Sequence, residues 1–213
     1  MTPPDAGPTG PSSGATSAWL LLIYKVPSEP SRLRVAVWRE LKRLGAHYLQ
    51  QAVCLLPDTP RARDGLASMR ERVIGLGGTA VLGALTLSAD DSAQVSAAFV
   101  ANAQRDYAEI VEECLTKFVK EIEFERFREN YTFEEAEEIR QDLDKLRRWL
   151  AQVVERDWLG APGRQDAEDH IADCERLLEA FEADVFQRTV PSDPPTLPSG
   201  SPMVSGEFGC AHP

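Results

Sequence analysis

Hydrophobic positions follow two different rhythms along this chain, and the change between them divides it. Residues 19–26 (WLLLIYKV) form one continuous apolar run, which at this length predicts a buried central strand. Pro27 and Pro30 end it, because proline cannot donate to a strand ladder. From Ser31, a candidate N-cap, Leu33, Val37, Leu41 and Leu44 recur on one helical face, with Gly45 as the expected terminator. Residues 46–56 (AHYLQQAVCLL) hold two short strand-like pieces that turn near Gln50-Gln51. Thr59 and Pro60 open a second helix, with proline at a first-turn position where its missing N–H does no harm. That helix runs through Leu66, Met69 and Val73 to Gly75, Gly77-Gly78 mark its exit, and residues 79–87 (TAVLGALTL) predict a closing strand. The order is β-α-β-β-α-β, which predicts a ferredoxin-like antiparallel sheet over residues 17–88.

After Ser88 every apolar position reads as helix. Ser88 with Asp91 has the spacing of a capping box, and Val95, Phe99, Tyr107, Ile110, Cys114, Phe118 and Ile122 follow at steps near 3.5 residues. Unbroken, this stretch would run ~60 Å at the rise of an α-helix, so a kink or interruption is expected within it. A turn at Glu129-Asn130 precedes a second box, Thr132 with Glu135, and the series Ile139, Leu143, Leu146, Leu150, Val153. Gly160, Pro162 and Gly163 break that helix, and Ala167, Ile171, Cys174, Leu178, Phe181 and Val185 repeat the stripe. Three amphipathic helices with short connectors predict an antiparallel three-helix bundle over residues 89–188. The fold class is therefore α+β. Residues 1–16 and 189–213 are rich in Pro, Gly, Ser and Thr and read as disordered tails.

Charge follows the same division. Residues 17–88 carry ten Lys/Arg against five Asp/Glu, a net +5, whereas residues 89–190 carry thirteen against twenty-six, a net −13. The whole chain stands at −11, which argues against general nucleic-acid affinity but leaves one basic module beside one acidic module. The longest apolar run is too short to span a bilayer, and residues 1–17 lack the basic start and apolar core of a signal peptide. Cys54, Cys114, Cys174 and Cys210 stand far apart with no C-x-x-C pair, which suits reduced thiols and a cytoplasmic protein.

Among candidate sites, the basic set Lys25, Arg32, Arg34, Arg39, Lys42 and Arg43 comes first. Such a cluster suits a nucleic-acid backbone or a small oxyanion, and equally the solvated face of an amphipathic helix. Arg32, Arg39 and Arg43, at spacings of seven and four, share one helical face. Gln50-Gln51, beside Tyr48 and Cys54, reads as a turn that satisfies its own backbone. The carboxylates Glu112, Glu113, Glu121, Glu123, Glu125, Glu134, Glu135, Glu137 and Glu138 lack the Glu-x-x-His spacing of a dinuclear metal site and read as a solvated acidic face. No G-x-S-x-G sequence, Gly-rich phosphate loop or catalytic cysteine setting occurs, so the residues predict no catalytic group, metal or cofactor.

Residues 19–57, with the strand WLLLIYKVPSEPSRLRVAVWR, the turn LKRLGA and the strand pair LQQAVCLLP, resemble the N-terminal domain of the ChrB family of chromate-resistance regulators. The likeness continues through ENYTFEEAEE, DLDKLRRWL and RDWLGAP, and covers about residues 19–188. It implies a regulatory or accessory protein of chromate response that acts by contact with DNA or protein rather than by catalysis. The full-length regulator carries a further C-terminal domain, so the resemblance implies a standalone form with a partner chain bearing that domain, or a homodimer. Residues 19–87 are also similar, more weakly, to the ferredoxin-like domains of phenylacetate-pathway repressors and of small CRISPR-associated nucleases. Those nucleases place a metal-binding aspartate at the end of the first strand, where this chain has Tyr24-Lys25, and Mg²⁺ requires hard anionic oxygens. A metal-dependent nuclease and a structural partner protein without nucleic-acid contact are the alternative functions.

Overall fold

A computed structural model of the chain describes residues 18–189; Thr189, expected to open the C-terminal tail, instead ends the last helix, and the rest of both expected tails lies outside the described residues. Four strands, β1 (Ala18–Lys25), β2 (His47–Gln50), β3 (Val53–Pro57) and β4 (Thr79–Thr86), form one antiparallel sheet in the order β2-β3-β1-β4. β1 is central and pairs along its whole length with β4, from Ala18 opposite Thr86 to Lys25 opposite Thr79. Helices α1 (Arg32–Arg43) and α2 (Pro60–Gly75) lie side by side, joined by an Arg72–Glu40 ion pair at 3.0 Å. The apolar run expected to be a buried strand is covered on both faces only at its start: Trp19, Leu20 and Leu22 are buried, whereas Ile23 is 44% exposed where that cover ends. Trp19 and Leu20 point to opposite faces, yet both are buried, Trp19 by stacking on Phe99 with ring centroids 5.6 Å apart.

The helix ends differ in how they are closed. Thr59 and Ser88 accept from the N–H groups of Ala62 (3.2 Å) and Asp91 (3.1 Å), as expected of N-caps. Ser31 does not cap α1. Its backbone is already helical, which turns the side chain away from the free N–H groups. At the other end of α1 the expected terminator holds. Gly45 sits at φ +80, its N–H donates to Lys42 O (3.0 Å), and Ala46 N–H donates to Leu41 O (2.9 Å).

The helical half comprises α3 (Ala89–Glu113), a π-helical turn (Cys114–Phe118), α4 (Val119–Phe127), α5 (Phe133–Arg156) and α6 (Arg164–Thr189). The π turn is the interruption expected of the long first stretch. Ile110, Cys114, Phe118 and Ile122 are spaced by four, and each step of four overshoots a 3.6-residue turn; the wider π turn absorbs the drift and keeps all four buried. Cross-links give the directions. Arg156–Asp106 and Tyr107–Asp157 bring the far end of α5 back to α3 after the short turn from α4, so α5 runs antiparallel to the α3–α4 stretch, while Arg140–Glu182 and Arg147–Glu175 set α6 antiparallel to α5. The stripes read from the sequence form the core, with Ile139, Leu143, Leu146 and Val153 meeting Ile171, Cys174, Leu178, Phe181 and Val185.

The acidic face is less solvated than the sequence suggests. Glu125 is buried and accepts from Asn130 Nδ2 at 2.6 Å, so its desolvation is offset by a charge-assisted hydrogen bond. Burial first, then the carboxylates Asp142, Glu135, Glu125 and Glu138, hold the Glu121 carboxyl above its ordinary value. Burial, Glu125 and Glu138 do the same to Glu135. A raised carboxyl pKa favours the protonated folded state, so this contribution to stability grows as pH falls through the raised value and is lost as pH rises.

The two halves meet at the end of α1. Trp158 Nε1 donates to Leu44 O at 2.9 Å, and the Arg61 guanidinium lies 4.0 Å above the Trp158 ring. A Cβ on Gly45 would stand 2.8 Å from both Cβ and O of Arg156 and 2.9 Å from Trp158 Nε1. Gly45→Ala is expected to lose about 1–2 kcal/mol from backbone strain alone and more from the clash, read as a lower denaturant midpoint. Glu121→Gln is expected to raise the melting temperature at pH 7, and the difference from the parent should shrink as pH falls toward 4.5.

Candidate nucleic-acid interface

All six residues of the basic set are exposed, and none forms an ion pair among the described residues. Their neighbours do pair: Arg63 with Asp58 (2.5 Å) and Arg72 with Glu40 (3.0 Å). The six are not one cluster. Lys25 and Arg34 line a cavity of about 450 Å³ at the end of β1, with Tyr24, Tyr48 and the hairpin residues Gln50–Ala52. Arg39, Lys42 and Arg43 line a second cavity of about 440 Å³ between α1 and the helices α3 and α5. Arg32 lines neither.

Helical phase explains the partition. Val37 and Leu41 point into the core, so residues roughly a quarter-turn away emerge at its edge. Arg34, Trp38 and Lys42 are spaced by four and make one ridge; Arg32, Arg39 and Arg43 make another. Trp38 is the ridge residue that lines both cavities, and it is 48% exposed. An exposed tryptophan among unpaired cations offers an aromatic face beside positive charge, the pairing by which proteins stack bases and hold phosphates. Trp38 was not among the residues that the sequence singled out. The available signal was its phase, since it falls on the Arg34–Lys42 ridge rather than with Leu33, Val37, Leu41 and Leu44.

The first cavity has a polar floor. Tyr24 and Tyr48 share a hydroxyl–hydroxyl hydrogen bond of 3.0 Å. Burial is the main cause that holds both phenols above their ordinary value and so in the protonated form. Cys54 is buried, and burial pushes its thiol up to about 12, which makes it inert as a nucleophile. Gln50 and Gln51 stand at the turn between β2 and β3, where Ala52 takes φ +64. No carboxylate lines this cavity, so Tyr24 and Lys25 have no hard anionic neighbour with which to hold Mg²⁺.

The second cavity collects charge from both halves. Arg105 of α3 and Arg156 of α5 face Arg39, Lys42 and Arg43 across it. Arg156 is held by Asp106 at 2.7 Å, and Arg105 is exposed. Sequence reasoning missed both, because they sit in the acidic half. His47 packs against Phe99 with the rings tilted at 45° and their centroids 5.5 Å apart, and burial followed by the nearby Lys42 charge lowers its pKa. It therefore stays neutral at physiological pH.

The sequence profile of the family described as Protein ChrB, N-terminal, matches residues 34–192. Protein ChrB of Cupriavidus metallidurans is 42% identical over 59 residues, a stretch that makes up 28% of this chain and 18% of that protein. The match thus spans less than a fifth of the relative's length. No solved structure matches the chain. Among the described residues no helix is long and apolar enough to cross a membrane, and no group of three or more His, Cys, Asp or Glu stands ready to hold a metal.

Charge around Trp38 is open to direct measurement. Trp19 is buried and Trp149 and Trp158 are half-buried, so collisional quenching reads mainly Trp38. Iodide is expected to quench more strongly than caesium at low ionic strength, with the difference fading as salt rises. Trp38→Phe should remove the iodide-sensitive component; equal quenching by both ions would show that no positive field surrounds the ring.

Proposed function

The chain belongs to the family of ChrB N-terminal domains, and from that premise we propose that it is a regulatory or accessory protein of chromate resistance that works by contact with DNA. The contact surface is the cationic side of α1 with the end of β1, carried on what we read as a ferredoxin-like split βαβ unit. The observation that carries the reading is the exposure of Lys25, Arg32, Arg34, Arg39, Lys42 and Arg43 without ion-pair partners among the described residues, in a chain of net charge −11.

Three further features support it. Phosphate contact needs cations that are free to exchange counterions for backbone oxygens, and these six meet that need. Arg32, Arg39 and Arg43 share one ridge, which allows a single strand of backbone to meet more than one guanidinium. The cavity at the end of β1 offers phenols, glutamines and cations but no carboxylate, which favours binding over metal-dependent cleavage.

Salt dependence provides the test. In mobility shifts with duplex DNA between 50 and 200 mM salt, log K is expected to fall linearly with log salt. Arg39→Ala and Arg43→Ala should each flatten that slope by about 0.9, the contribution of one phosphate contact. Negligible binding, or binding indifferent to salt, would remove the DNA contact from the proposal.

A further inference from the structure

Five cationic side chains converge on the cavity between the two halves of the protein, against a single carboxylate. Arg39, Lys42 and Arg43 come from α1, Arg105 from α3 and Arg156 from α5, and the one carboxylate, Asp106, is engaged by Arg156 through two hydrogen bonds of 2.7 and 3.1 Å. Gathering like charges around a cleft works against folding unless an anion is there to meet them. The arrangement is the more pointed because the halves differ in sign. The helical half has carboxylates to spare, yet it turns arginines toward this cleft.

The walls add further chemistry. Trp38 stands at the rim, Phe99 lies behind, and Asn102 and Gln152 offer side-chain amides that both donate and accept. At about 440 Å³ the cleft lies in the range that takes a small organic ligand, far larger than a single tetrahedral oxyanion. Five cations likewise exceed what one dianion needs. We propose that this cleft is a binding site for a free nucleoside polyphosphate: the α1 cations and Arg105 hold the phosphates, Trp38 stacks on the base, and the Asn102 and Gln152 amides meet its polar edge. Arg156, fixed by Asp106, stands as a positioned donor in the wall.

This site reaches beyond the DNA contact. Arg105 and Arg156 take no part in that surface, and Lys25, Arg32 and Arg34 lie outside the cleft. Arg39, Lys42 and Arg43 serve both, so a nucleotide in the cleft would compete with DNA for them.

Calorimetric titration of the full chain with ATP, inorganic triphosphate and sulfate, without added metal, tests the assignment. ATP and triphosphate are expected to bind at one site, and sulfate at equal concentration is not. Arg105→Ala, at an exposed residue with no ion-pair partner among the described residues, should weaken both by about tenfold or more, the scale of a charge-assisted hydrogen bond. Trp38→Ala should weaken ATP by about fivefold or more while leaving triphosphate unchanged. No binding of either polyphosphate, equal binding of sulfate, or indifference to Arg105→Ala would overturn the proposal. A ten-residue oligonucleotide supplies the last arm: if it displaces ATP and loses affinity equally on Arg105→Ala, the cleft belongs to a strand and not to a free nucleotide. Arg34→Ala separates the two readings, since it should weaken DNA and leave ATP unchanged. ATP binding without DNA binding would leave the cleft standing while the DNA contact fails.

Discussion

A missing side chain at Gly45 allows the two halves of this protein to touch. The left-handed turn there ends α1 and brings its last carbonyl, that of Leu44, to the indole N–H of Trp158. A Cβ at that point would occupy the space of Arg156. Because the closure is tight, the final turn of α1 lies near α3 and α5, and Arg39, Lys42 and Arg43, though exposed to water, line the cleft between these helices. Arg61 above the Trp158 ring, Trp19 stacked on Phe99 and His47 tilted against the same ring add further contacts between the two halves.

Charge separation along the chain acquires meaning only through that junction. A positive module beside a negative one would ordinarily neutralise across the interface, and the helical half has carboxylates enough to do so. Among the described residues, the ion pairs those carboxylates form all stay within their own half. Arg140, Arg147 and Arg164 pair with Glu182, Glu175 and Glu168, and Glu125 turns inward to Asn130. The cations of α1 are left free, which keeps a positive surface on a protein whose overall charge is strongly negative. That freedom is the basis of both the DNA contact and the nucleotide cleft.

The elements of the fold were legible because burial imposes period. The stripe from Leu33 to Leu44 and the stripes of α5 and α6 all name residues that the structure buries or half-buries, and the apolar run of β1 does so apart from Ile23 and Lys25. Glycine and proline were equally readable, since each restricts the backbone in its own way, as at Gly45 and Pro60. Ser31 failed as a cap because capping depends on the backbone angle of the capping residue, which a residue type only biases. Glu125 misled for a related reason: a carboxylate suggests solvent until a partner such as Asn130 is brought to it by the turn between α4 and α5.

The candidate surface divides along the same line. Sequence alone established that α1 is basic on its polar side and that Lys25 closes the first strand, because helical phase and strand length are local properties. It also carried the family likeness. Only the tertiary structure decided that Lys25 and Arg34 share a cavity with the tyrosine pair, that Trp38 stands between two cavities, and that Arg105 and Arg156 join the α1 cations. Those groups lie on separate elements, and packing between elements brings them together across distances that no spacing along the chain encodes.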